Sequence, residues 1–182
     1  MGRLKPLIKI DGLTFLQRIV KALKAGGIEN ITIVTGFEAE RLKSESGVDA
    51  HFVVNENFKD GKFSSLQCGI QSLSEKCTGV VVCLGDQPQI KSAWIQKMIK
   101  KFESTNAVIV RPSFCGRSGH PIIYSANVFI DILNLPPTAS AKKLMAKYSD
   151  ETIFVDLESD AILYDADRPE DLKTIERLIK SS

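Results

Sequence analysis

The run Gly79-Val80-Val81-Val82-Cys83-Leu84, which ends at Gly85-Asp86-Gln87-Pro88, constrains the fold of this chain more than any other stretch. A short, β-branched, wholly apolar run bounded by a glycine and a proline turn reads as a strand covered on both faces. Such a strand needs helices above and below its sheet. The chain supplies them. Leu13, Leu16, Ile19, Val20 and Leu23 keep helical spacing, and Gly26-Gly27 stops that helix. A strand over 30–35 closes at Gly36, a polar helix-favouring stretch covers 37–46, and a strand over 50–54 ends at Asn55. Leu66, Ile70 and Leu73 mark a helix over 64–73, and another covers 94–102. Beyond a strand at 107–110, glycines and prolines punctuate shorter elements. These are a strand at 121–124, helices at 126–133 and 140–147, a strand at 152–157, and a last helix over 169–179 with Pro169 at its first position. Strands alternating with helices imply crossovers, a mostly parallel sheet and helices on both faces. No linker or low-complexity tract interrupts residues 1–182, so one domain is expected.

Composition removes several function classes. Among 182 residues, 24 are Lys or Arg and 22 are Asp or Glu, for a net charge of +2. That balance gives no electrostatic case for a nucleic-acid polymer or an anionic membrane. The longest apolar run is far short of the roughly 18 residues of a membrane span. Arg3, Lys5 and Lys9 break up any hydrophobic leader, so the cytoplasm is the expected compartment. Cys68, Cys77, Cys83 and Cys115 are widely spaced and read as reduced, mostly buried thiols.

Ligands of an open parallel sheet bind beyond the carboxyl ends of its strands. Thr35-Gly36, Asn55 and Gly85-Asp86 fall there. At the rim of a dry strand, Asp86 can hold Mg²⁺ together with substrate phosphates. It equally suits a turn aspartate with Pro88 enforcing the bend, and spacing alone leaves both open. In Asp165-Ala166-Asp167-Arg168-Pro169-Glu170-Asp171, the helix dipole accounts for Glu170 and Asp171. Asp165 and Asp167 remain free, and either could complete a metal site with Asp86. Gly116-Arg117-Ser118-Gly119-His120-Pro121 reads as an anion-binding loop or a plain glycine-rich turn. His51 and His120 lack ligand spacing, which argues against a histidine zinc site. Ser64 and Ser65, at the start of a helix, either cap it or donate to a ligand, and capping is the expectation. A nicotinamide-type dinucleotide site is disfavoured, since no G-x-G-x-x-G follows a strand.

Taken in order, these stretches resemble the molybdenum cofactor nucleotidyltransferase family, nearest its cytidylyltransferase-like branch. The matching pieces are Met1-Gly2-Arg3-Leu4-Lys5, Asp11-Gly12, Asn55 with Gly61 and Ser64-Ser65-Leu66, Gly85-Asp86-Gln87-Pro88, Gly116 through Pro121, and Asp165 through Asp171. The resemblance implies a Rossmann-like three-layer α/β sandwich of the nucleotide-diphospho-sugar transferase type. It also implies transfer of a nucleoside monophosphate from CTP (or GTP) to the phosphate of a molybdopterin-type acceptor, with release of pyrophosphate. By the same resemblance, Asp86 and Asp167 bind Mg²⁺ and Lys5 neutralises the triphosphate. Asn55, Ser65 and Gly85 belong to the nucleotide side, and Gly119 and His120 face the acceptor. The family opens with a strand and a loop of the form L-A-A-G-x-S-x-R-M-G, of which this chain carries only the final Met-Gly. The comparison therefore expects that strand and loop upstream, and expects their neighbours here to hold unpaired backbone groups. Where relatives carry a Gly-Asp-x-Gly-like turn, this chain has Pro136-Pro137-Thr138-Ala139-Ser140-Ala141. The alternative expectation is a non-catalytic module that holds nucleotide or molybdopterin for a molybdenum hydroxylase.

Overall fold

The computed structural model describes residues 4–180. A one-turn 3₁₀ segment, Lys5–Leu7, leads into a hairpin of β1 (Lys9–Ile10) and β2 (Leu13–Thr14). Asp11 and Gly12 turn it, with φ of 46° and 81°, the positive pair that a tight hairpin turn requires. The helical reading of Leu13 is thus corrected: helix α1 (Phe15–Ala25) starts two residues later. Thr14 Oγ1 accepts from Gln17 N at 3.1 Å while Gln17 Oε1 accepts from Thr14 N at 2.9 Å, a reciprocal cap worth about 1 kcal/mol. At the other end, a Cβ on Gly26 would lie 2.7 Å from Ile95 Cγ2, so this helix end has room only for glycine.

β3 (Thr32–Thr35) and β4 (His51–Val54) pair in parallel, linked by α2 (Ala39–Glu45). After α3 (Lys62–Gln71) come β5 (Gly79–Val82), α4 (Ser92–Glu103), β6 (Ile109–Phe114), β7 (Arg117–Ser118) and β8 (Ile122–Ser125). The chain continues through α5 (Phe129–Asn134), α6 (Ala141–Lys147), β9 (Thr152–Asp156) and α7 (Asp171–Lys180). The expected sandwich forms, and its pairing is mixed. β9 runs parallel to β6, whereas β8 is antiparallel to both β5 and β6, and β7 is antiparallel to β6. The connection across Cys115-Gly116 is too short for a crossover, so that part of the chain can only fold back as a hairpin.

Among the described residues, β3 pairs with β4 alone and β5 with β8 alone. Each therefore keeps one edge without a strand partner. Helices span the interval on both faces. From α1, Ile19 and Leu23 pack with Val81 and Cys83, while Leu16 and Val20 pack with Ile33. From α3, Ile70 packs with Val80 and Val82, and Gly69 lies over Val34. The open edge explains why every residue of β5 is only half-buried, although its sequence suits a strand enclosed on both faces. Cys83 just beyond it has its thiol pushed up to about 12 by burial. The thiols depart from the buried expectation: Cys68, Cys77 and Cys83 are half-buried, and Cys115 is exposed at a positive-φ turn position.

Candidate active site

The residue after β5 that matters most is Asp86, and its surroundings come from the far end of the chain. Ala166 N donates to the Asp86 carbonyl at 3.0 Å. Gln87 Nε2 donates to Asp165 Oδ1 at 2.6 Å, and Gln89 Nε2 donates to the carbonyls of Ala161 and Tyr164 at 2.9 and 2.7 Å. Gln87 and Gln89 are each only 3% exposed. These bonds dock the 160–166 segment onto the end of β5. They bring the second acidic cluster to the first across about eighty residues of sequence. Sequence reading quoted Gln87 in a motif but gave it no role. The signal available was its place beside the aspartate on a dry strand, where a side-chain amide must find a distant partner.

Asp86 is half-buried, and its carboxyl is raised above the usual range chiefly by burial and also by Asp165, against the pull of Lys62 and Lys5. Its Oδ2 lies 3.9 Å from Lys62 Nζ, while its Oδ1 is buried without a hydrogen-bond partner. Asp167 is placed differently. Its exposed carboxylate takes Lys5 Nζ at 2.8 Å and is held below its ordinary pKa by that contact. Asp86 thus shares its local field with Asp165, whereas Asp167 shares its own with Lys5. Helix α7 starts at Asp171, beyond the expected Pro169. Asp171 Oδ2 accepts from the backbone N–H groups of Asp167 and Arg168 at 3.0 and 2.7 Å, which confirms a helix-entry role.

The Asn55 side is built otherwise. Asn55 is 5% exposed. Its Nδ2 donates to Ser64 Oγ at 2.9 Å and Ser65 Oγ at 3.1 Å, and its Oδ1 accepts from Asn57 N at 3.0 Å. Ser64 Oγ lies 2.9 Å from the carbonyl of Asn57 and 2.8 Å from that of Gly61. The serines do not cap α3, because the helix begins at Lys62 with Gly61 as its N-terminal flank. They pin the 55–61 turn to the first turn of α3 instead.

Between these elements lies a cleft of about 570 Å³. Lys62, Gln87 and Asp165 line one part, Arg117, Gly119, His120 and Tyr124 another, and Ser140 belongs to the wall from the 136–141 turn. The half-buried His120 imidazole is lowered to about 4, mainly by burial, so it is neutral at pH 7. Tyr124 is raised to about 12 by burial. Gly119 has a packing reason to be glycine: a Cβ there would lie 1.8 Å from the Ile162 carbonyl oxygen. Gly85, exposed at the rim, has only Pro6 near its Cβ position, at 3.6 Å. Among the described residues, no group of three or more His, Cys, Asp or Glu side chains converges as a metal site. A divalent ion at Asp86 would therefore complete its shell with phosphate and water oxygens, as Mg²⁺ usually does. The buried, unpartnered Asp86 Oδ1 fits that demand.

The chain is 34% identical over 79 residues to a bifunctional IPC transferase and DIPP synthase of Rubrobacter xylanophilus, covering 41% of this chain and 18% of that protein. It spans about a fifth of the curated relatives it matches. In fold it is similar to Rv0371c of Mycobacterium tuberculosis, with a TM-score of 0.85 at 23% identity over 97% of this chain and 90% of that one. A manganese complex of the same protein superposes with a TM-score of 0.81 at 23% identity, covering 97% and 93%. A CMP-2-keto-3-deoxy-manno-octonic acid synthetase complexed with CTP gives 0.76 at 12% identity, covering 99% and 94%. No described helix is long and apolar enough to cross a membrane. Residues 1–152 match the MobA-like NTP transferase domain, and with its sandwich fold the chain belongs to that family of nucleotidyltransferases.

Proposed function

We propose that this protein is a divalent-metal-dependent nucleotidyltransferase that transfers CMP from CTP to the terminal phosphate of a molybdopterin-type acceptor. An acceptor phosphate oxygen attacks the α-phosphorus, the bond from that phosphorus to the bridging oxygen breaks, and pyrophosphate leaves with the electron pair. Little covalent work falls to the protein, and positioning with charge neutralisation carries the rate. The observation that carries this reading is the buried, unpartnered oxygen of Asp86, which lies beside the cleft-lining Gln87 and Lys62. In this reading Asp86 holds Mg²⁺ with a carboxylate of the 165–167 segment. Asp167 is the partner by family resemblance, and Asp165 is the one whose field Asp86 feels. The ion supplies charge neutralisation to the phosphates when bound. Lys5 and Lys62, one on Asp167 and one beside Asp86, move onto the triphosphate oxygens. The neutral His120 and the Gly119 loop face the acceptor. Ser65 Oγ keeps a proton to donate to the nucleotide, while Asn55, its polar atoms engaged, holds the turn that frames it.

The test mixes the protein with CTP or GTP, Mg²⁺ and molybdopterin and follows pyrophosphate. Release with CTP that Asp86→Ala abolishes is the expected result. Full activity in Asp86→Ala would remove Asp86 from the reaction. Calorimetric binding of the pterin without any nucleotide-dependent heat would favour the carrier reading, in which the module serves a molybdenum hydroxylase.

A further inference from the structure

Arg111 is the least explained charged residue near the cleft. It lies two residues along β6 from Ile109, whose cross-strand partner is Tyr124, so strand alternation puts Arg111 on the face that carries Tyr124. On its other side it pairs with Phe154 of β9, with the guanidinium carbon 5.9 Å from the ring centroid. Its Nε is buried and has no hydrogen-bond partner. Among the described residues no carboxylate forms an ion pair with it. A half-buried guanidinium without a counter-ion is costly, and stacking on one ring offsets only part of that cost. The groups that face it are Tyr124 from β8, His120 from the preceding loop and Phe154 from β9.

We propose that Arg111 forms an oxyanion subsite beside the cleft, on the sheet face that carries the cleft-lining Tyr124, where it binds a second acidic group of the acceptor. This rests on the transferase chemistry at Asp86 and departs from the molybdopterin-type acceptor, whose single phosphate would leave Arg111 unfilled. β5, which delivers Asp86, and β6, which carries Arg111, are separated by β8, hence by two strand spacings of about 4.8 Å each. The phosphate that attacks near Asp86 cannot also reach Arg111. The acceptor is therefore an elongated molecule with a nucleophilic phosphate at one end and a phosphate or carboxylate at the other. A planar guanidinium fork suits either group in bidentate fashion.

The experiment follows the Arg111 ¹⁵Nε–¹H resonance of the whole protein during titration with inorganic phosphate and, separately, with acetate. Saturable movement of that signal with at least one anion is expected, and the tighter of the two names the group. Arg111→Met, which keeps the packing against Phe154, should weaken anion binding at least tenfold, with Arg111→Lys in between, as followed in wild type and variants alike through the backbone amide resonances of Tyr124 and Phe154. A signal that moves with neither anion overturns the proposal, as does unchanged binding in a folded Arg111→Met. Should Arg111→Met not fold, the wild-type titration and Arg111→Lys decide the matter. CTP binding is measured in parallel by calorimetry. Its absence would count against the transferase reading, whereas CTP binding with a silent Arg111 would sink this subsite alone.

Discussion

The two polar clusters that follow β4 and β5 are opposites. Around Asn55, every side-chain amide group and both serine hydroxyls find a partner within the protein. Around Asp86, three buried oxygens find none: Asp86 Oδ1, Gln87 Oε1 and Gln89 Oε1. Buried polar groups are normally satisfied, so a cluster of exceptions marks a place prepared for something else, whereas a closed network is a fastening. Both clusters carry residues that family resemblance assigns to the substrate, but only one is left electrostatically incomplete. Stability should therefore reside at the Asn55 cluster and catalysis at the Asp86 cluster.

The largest effect that separates them is expected from Asp86→Asn. Turnover should fall by about 10²-fold or more, the scale of losing one preorganised charge-stabilising group. Thermal stability should hold or rise, because a carboxyl raised by burial is destabilising once ionised. Its cost grows as pH climbs from the ordinary carboxylate value through the raised one, so the stability gain in Asp86→Asn should appear at neutral pH and vanish in acid. A melting temperature that drops sharply in this variant would make Asp86 a structural residue after all.

Gly119→Ala comes next. The added Cβ meets the Ile162 carbonyl, and the overpacking should cost about 1–3 kcal/mol or more. Denaturant melts check this, and activity should fall with it, since the loop beside His120 must shift. Asn55→Ala strands the amide and hydroxyl partners it now satisfies and should cost about 1–3 kcal/mol. Its measured signature is a lowered urea midpoint, with kcat of the remaining folded protein changed far less than in Asp86→Asn. A large kcat loss at full stability would instead make Asn55 a direct ligand.

The smallest effect concerns pH. His120 is neutral in the folded protein down to about 4 and takes up a proton near 6.5 when unfolded. Between those values the unfolded state binds more protons, so stability falls as pH drops through the window. His120→Gln should flatten that slope in melting curves recorded from pH 7 to 4. A slope that persists unchanged would move the responsible group elsewhere.

Much of the fold was legible because it follows from local periodicity. α1, the β3–β4 pair and β5 lie close to where apolar spacing places them. The misreadings share a cause. Leu13 reads as part of the helix until the Thr14 cap is seen, and Ser64-Ser65 read as caps until Gly61 takes the flanking position. Both depend on backbone geometry within a residue or two, which side-chain pattern does not resolve. Asp11-Gly12 turns a two-residue hairpin whose second strand takes Leu13 out of the helical pattern.

What the sequence determined by itself is the layering of strands and helices and the presence of Asp86 at the rim of a dry strand, since burial periodicity and turn chemistry are properties of neighbouring residues. The tertiary structure alone decided which acidic side chain shares the field of Asp86, that Lys5 pairs with Asp167, and that Arg111 lies beside the cleft without a counter-ion. Those relations join residues up to 162 positions apart. They follow from strand order and from which buried amides reach which carbonyls, and no local pattern encodes either.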